Sequence, residues 1–244
     1  MNEILRVEEV SKRFGGLTAV NQVSFSVREG EIVGLIGPNG AGKTTMFNLL
    51  VSLYKPDKGE ILFRNEPTHT LSSHDVAQRG ITKTFQITTL FDDMSILDNV
   101  VVGAFLRNRR LSDAITKANE ALGAVGLSPN QAGTPKELNH VDRARLEIAR
   151  ALATSPSLLL LDETMAGLTP NETIEAMKMI RQIRDRGITL MVVEHNMRAV
   201  MSLCSRIIAF DSGMKVTEGS PSVVSRHPKV IESYLGRGYE DAPS

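Results

Sequence analysis

The chain has 244 residues, with 28 basic and 28 acidic side chains, a formal net charge of zero and a single cysteine. That balance argues against a dedicated nucleic-acid surface, and one cysteine excludes an internal disulfide. No apolar run approaches the roughly 18–20 residues needed to cross a bilayer, and the opening Met-Asn-Glu-Ile-Leu lacks the basic stretch and apolar core of a signal peptide. These features predict a soluble, cytoplasmic protein of one large domain, or a domain with a subdomain, that reaches a membrane only through a partner.

Residues 4 to 36 have the character of strands. The run Gln22–Val27 alternates strictly, as a half-buried antiparallel strand does, and Arg28–Glu31 reads as a tight turn. The continuous apolar run Ile32–Ile36 then marks a central buried strand. Upstream, Phe14 sits in a glycine-flanked loop, where its position alone favours a core residue over a ring stacked on a purine. After Ile36 comes Gly37-Pro38-Asn39-Gly40-Ala41-Gly42-Lys43-Thr44-Thr45, followed by a helical pattern with Met46, Leu49, Leu50 and Leu53 on one face. Strand, glycine loop and helix form the context in which G-x-x-x-x-G-K-[ST] is a phosphate site. Glycines let several backbone N–H groups converge on one anion, and the helix N-terminus adds its dipole. Lys43 is placed for the outer phosphates and the Thr44 hydroxyl for a bridging magnesium ion. A bound nucleoside triphosphate is the expectation.

Gly59–Phe63 is a further short strand, a helix spans Ser72–Gln78 and ends at Gly80, and Ile81–Gln86 is a strand with Gln86 at its exit. Beyond it the chain turns helical, with patterns at Ile96–Val102 and Leu111–Val125. The cluster Arg107-Asn108-Arg109-Arg110 reads as a solvated face, the sharper alternative being a contact with a membrane partner or lipid headgroups. Asp142–Ala153 is a helix stopped by Ser155-Pro156. Four leucines, Leu158–Leu161, form a buried strand with Asp162 and Glu163 at its carboxyl end, where sites in open parallel sheets gather. With a phosphate loop upstream, Asp162 is suited to hold magnesium through water and Glu163 to activate an attacking water. Thr169-Pro170-Asn171-Glu172 is a capping box opening a helix that buries Ile174, Met177, Ile180 and Ile183 and ends at Gly187. The strand Ile188–Val193 leads to Glu194-His195-Asn196, and on position alone His195 is a structural histidine. Ile207–Phe210 and Lys215–Thr217 make a hairpin, and short helices begin at Pro221 and Pro228. Strands alternating with helices predict an α/β fold with a mostly parallel sheet.

With these pieces in order, the chain resembles the ATP-binding subunits of ABC transporters along nearly its whole length. Gly37–Thr45 is similar to the Walker A motif, Leu158–Glu163 to Walker B, Gln86 to the Q-loop residue, Ala166–Thr169 to the D-loop and His195 to the switch histidine. The resemblance implies a RecA-like P-loop NTPase core with an antiparallel β subdomain, about 1–86 and 156–244, and a helical subdomain, about 87–155. It further implies ATP held by Phe14, Gly37, Asn39, Gly40, Ala41, Gly42, Lys43, Thr44 and Thr45, with Mg2+ near Thr44, Gln86 and Asp162. Glu163, His195 and Gln86 would serve hydrolysis. Thr84–Gln86, Leu97–Val100, Arg145–Arg150 and the ending Pro228–Gly236 are similar to the branched-chain amino-acid uptake type, which itself resembles urea and short-chain amide uptake ATPases. In such importers two ATPase subunits, identical or different, sit beneath membrane-spanning permease subunits on the inner face of the membrane, fed by a solute-binding protein.

One motif departs. The family signature, broadly L-S-G-G-Q, falls on Leu138-Asn139-His140-Val141-Asp142. Valine puts a β-branched side chain where backbone must approach the γ-phosphate of the opposite subunit. Asp142 adds a charge that, at an effective dielectric of about 20 and about 6 Å, repels one phosphate charge by roughly 3 kcal/mol. It is also expected to cap its own helix, occupying the dipole that the phosphate would use. The expectation is that this chain impairs the partner's composite site while its own works, the alternative being a nucleotide-binding regulatory subunit that hydrolyses little.

Overall fold

The computed structural model describes residues 2–84, 90–128 and 133–232. Its centre is a six-stranded sheet of order β10-β9-β3-β8-β7-β6, comprising β3 (Ile32–Ile36), β6 (Ile81–Lys83), β7 (Leu158–Asp162), β8 (Thr189–Val193), β9 (Arg206–Asp211) and β10 (Met214–Gly219). All neighbours run parallel except the terminal β9–β10 pair. The continuous apolar runs in β3, β7 and β8 follow from burial on both faces. Along β7, Leu159 and Leu161 enter one core, and Leu158 and Leu160 enter the other. β8 divides in the same way, with Leu190 and Val192 on one side and Met191 and Val193 on the other.

The second sheet, of order β2-β1-β4-β5, is antiparallel: β1 (Glu3–Phe14), β2 (Leu17–Arg28), β4 (Lys58–Phe63) and β5 (Glu66–Pro67). It closes over α1 (Lys43–Leu50), so Phe47, Leu49 and Leu50 share a core with Val7, Val23 and Ile61. α2 (Ser73–Arg79) is capped by the Ser72 hydroxyl, which accepts the Asp75 N–H at 3.2 Å, and ends at Gly80. On the other face lie α3 (Ile96–Ala104), α4 (Leu111–Ala124), α5 (His140–Ala153), α6 (Pro170–Asp185) and α7 (Met197–Leu203), with the short α8 (Pro221–Val224) and α9 (Pro228–Val230) at the end. Cys204 is buried there, and its burial pushes the thiol up to about 12, which leaves it an inert core residue.

Three sequence expectations need correction. α1 ends at Leu50, so Leu53 lies beyond it and is 47% exposed. Ile174 is exposed on α6, whose buried side is carried by Thr173, Ile180 and Ile183. The helix expected from Asp142 begins two residues earlier, and Asn139, not Asp142, is its cap. The Asn139 Oδ1 accepts the Asp142 N–H at 2.8 Å, which puts Asp142 at the third helical position.

Candidate active site

The loop after β3 is shaped by backbone that a side chain would obstruct. A Cβ on Gly37 (φ +153°) would lie 2.3 Å from the Phe210 carbonyl oxygen, and one on Gly42 (φ +97°) 2.4 Å from that of Ala19. Glycine at both positions lets the loop press against β9 and β2. The Gly213 N–H donates to the Ala41 oxygen at 3.1 Å and the Asn21 N–H to the Gly213 oxygen at 2.8 Å, tying the turn after β9 to the same loop. Lys43 is buried, and its ammonium donates to the Gly37 and Pro38 oxygens at 2.6 and 2.9 Å. Burial lowers its pKa, opposed by the charges of Glu163 and Asp162.

Around this loop opens a cleft of about 750 Å³ lined by Phe14, Leu17, Thr18, Ala19, Asn39, Gly40, Ala41, Gly42, Lys43, Thr44, Thr45, Glu163, His195 and Ser212. Phe14 is therefore no core residue. It is 41% exposed at the end of β1 and packs edge-on to Tyr54, with ring centroids 5.1 Å apart at 72°. Its lining combines the glycine loop and the Lys43 ammonium with the Phe14 ring, a combination that suits a molecule carrying both a phosphate chain and a flat base.

The carboxylates arrive at the ends of adjacent parallel strands. Asp162 closes β7 with a fully buried side chain, and neither carboxylate oxygen has a hydrogen-bond partner among the described residues. Burial raises its pKa, opposed chiefly by the charge of Lys83. Glu163 has φ +54°, a left-handed conformation that disfavours a branched or bulky side chain and is stored strain. Its N–H donates to the Val193 oxygen at 2.9 Å, which fixes the turn and brings its carboxylate Oε1 to 2.8 Å from His195 Nε2. A carboxylate on a partly exposed imidazole at the lip of a phosphate cleft can accept a proton from water and keep its orientation. Gln86, the remaining sequence candidate, lies outside the described residues.

The sequence reading did not single out Tyr54, Ser212, Lys83 or Glu194. Glu194 is 2% exposed behind the site, with Oε1 accepting the Met165 N–H at 2.7 Å. Burial pushes its carboxyl up to about 7, opposed by the Met165 N–H and assisted by the charge of Glu163. Position next to His195 was its only sequence signal.

The segment over the start of α5 is built differently from a glycine turn. The Asn139 side chain is turned onto its own helix, accepting from Asp142 and donating Nδ2 to Asp142 Oδ2 at 3.0 Å. His140 Nε2 lies 3.0 Å from the Ala166 oxygen, and Val141 lines a small crevice with Thr164, Met165 and Leu168. Asp142 also pairs with Arg145 at 3.3 Å.

A family model described as ABC transporter matches residues 20–166, the span that carries the loop, the strand-end carboxylates and the α5 start. The chain belongs to the ABC transporter ATP-binding family. A second model, described as branched-chain amino acid ATP-binding cassette transporter, matches residues 215–240 of this ABC ATPase. Curated relatives include the high-affinity branched-chain amino acid transport ATP-binding protein LivG of Salmonella typhimurium, 38% identical, covering 96% of this chain and 98% of the relative. The lipopolysaccharide export system ATP-binding protein LptB of Acidithiobacillus ferridurans is 36% identical, covering 98% and 100%. Among solved structures, the ADP conformation of MJ1267, an ATP-binding cassette of an ABC transporter, superposes with a TM-score of 0.88 at 28% identity, covering 97% of this chain and 100% of that one.

Proposed function

We propose that this ABC ATPase powers a membrane importer for branched-chain or other hydrophobic amino acids. Similarity to LivG and the C-terminal match to the branched-chain type support that substrate class. The observation that carries the hydrolytic assignment is the Glu163–His195 pair standing on the same cleft as the phosphate loop. In this reading Phe14, with Tyr54 behind it, stacks on adenine. Gly37, Asn39, Gly40, Ala41, Gly42, Lys43, Thr44 and Thr45 hold the phosphates. Lys43 exchanges the two loop oxygens it now contacts for phosphate oxygens. Glu163 takes the proton from the attacking water, and His195 holds that carboxylate and the γ-phosphate in register.

Mg2+ fits the site. Asp162 offers two orphaned carboxylate oxygens, Thr44 a hydroxyl at the start of α1, and Gln86 is the third candidate. When bound, it would neutralise charge on the phosphates.

The surface and the relatives' transport roles support a set of partners in this reading. A cleft of about 390 Å³ between β6, α3 and α5, lined by Lys83, Phe91, Val102, Gly103, Glu147 and Arg150, presents exposed apolar side chains and suits a helix of a permease subunit. The helical part, about 87–155, is then the lever between permease and nucleotide. A second ATPase subunit completes each ATP site, a solute-binding protein supplies the permease, and the assembly stands on the inner face of the membrane. The α5 start would serve the partner's nucleotide poorly: the Asn139 side chain is committed to its own helix, Val141 brings a Cβ, and Asp142 puts negative charge in the first turn, partly offset by Arg145. LptB similarity favours a second reading, an export ATPase. Affinity purification of the chain from its own membranes separates the two. A co-purifying permease pair whose added amino acid stimulates ATP turnover supports import; lipopolysaccharide-binding companions without such stimulation overturn it.

A further inference from the structure

Lys83 ends β6, in register with Leu160 of β7, so its side chain emerges beside the strand that delivers Asp162. The ammonium lies 3.8 Å from Asp162 Oδ2 and 2.7 Å from Asn48 Oδ1 on α1. The lysine side chain is 6% exposed and the aspartate's is fully buried. At 3.8 Å the pair is an ion pair without a hydrogen bond, so the aspartate oxygens remain available to another cation. Burying a carboxylate next to Glu163 without a nearby cation is costly, and Lys83 is placed to offset that cost. The same lysine lines the permease-sized cleft together with Glu147 and Arg150, and the Arg150 guanidinium stands 5.7 Å from the Phe91 ring. One buried cation thus joins the metal aspartate, the phosphate-loop helix and the floor of that cleft.

We propose that Lys83 is a positioning residue that holds the Asp162 carboxylate in the metal-free state, competes with the divalent cation for it, and turns towards Glu147 once the cation is bound. Metal occupancy is thereby passed from the nucleotide site to the cleft between β6 and α5. A lysine that only filled space would not set metal affinity. The proposal rests on Asp162 being a metal ligand, and the test separates the two ideas.

The test is a titration of the full chain with Mn2+ at saturating ADP, near pH 8, with bound Mn2+ read by electron paramagnetic resonance. The variants are Lys83→Met, Lys83→Gln and Lys83→Arg. Removing a cation adjacent to the site should tighten Mn2+ binding about tenfold in both neutral variants, while Lys83→Arg stays within about threefold of the parent. Lys83→Gln keeps a donor for Asn48 and decides the matter should Lys83→Met not fold. Neutral variants that bind Mn2+ as the parent does, or more weakly, overturn the proposal. Failure of the parent itself to bind Mn2+ in the presence of ADP overturns the metal assignment and the proposal with it.

Discussion

Behind the Glu163–His195 pair, the Glu194 carboxyl is held almost without solvent, and burial raises its pKa from an ordinary 4.5 to about 7. Between those values the folded protein binds a proton that the unfolded chain has released. The stability that Glu194 contributes is therefore complete below about pH 4.5 and is lost as pH rises through about 7. Each pH unit is worth about 1.36 kcal/mol, so the loss is about 3 kcal/mol by pH 8. Glu194→Gln keeps an oxygen for the Met165 N–H and has nothing to ionise. Relative to the parent, the variant should gain about 3 kcal/mol between pH 5 and pH 8, or roughly 6–12 °C in Tm for a domain of this size. Urea and thermal unfolding of both proteins across that range supply the comparison. A stability gap that does not change with pH would refute the reasoning, because it would mean that the buried carboxyl does not titrate where its surroundings place it.

Phe14→Ala should weaken ATP binding roughly threefold to tenfold, the value of one aromatic stack, with phosphate-loop contacts intact; unchanged affinity would remove the ring from the site. Gly42→Ala, whose Cβ would meet the Ala19 oxygen, should lower ATP affinity by more than about tenfold. Gly16→Ala, with nothing within 4 Å of its Cβ, is the matched control and should bind as the parent does. In the assembled ATPase pair, Val141→Gly combined with Asp142→Gln should raise turnover severalfold, up to the roughly 3 kcal/mol ceiling of one unscreened charge repulsion. Unchanged turnover would show that the α5 start serves its nucleotide as it stands.

Continuous apolar runs made the sheet legible, because β3, β7 and β8 are buried on both faces, and each leads into the glycine loop or the acidic and histidine residues that the sequence pattern marks. Helix ends were legible where a cap and a glycine bracket them, as at Ser72 and Gly80, and at the Thr169 capping box. The α5 start misled, since Asn139 and Asp142 are both good caps in sequence and only the hydrogen bond between them shows which plays that part. Phe14 misled on position because a lone phenylalanine between strands is so often core; its place at the end of β1 beside an open cleft comes from the tertiary fold. Lys83 and Glu194 were invisible for the same reason. Each acquires its significance from a neighbour distant in sequence, Asp162 for Lys83 and Met165 for Glu194, and local pattern carries no trace of that pairing.

The central claim is that the Glu163 carboxylate directs water onto a nucleotide held by the phosphate loop. Steady-state MgATP turnover of Glu163→Gln, measured beside its binding of ATP, tests it most directly. The account predicts turnover reduced by about 10²–10⁴-fold with ATP binding retained and the ATP-bound pair of subunits accumulating. Turnover within a factor of about two of the parent would contradict it.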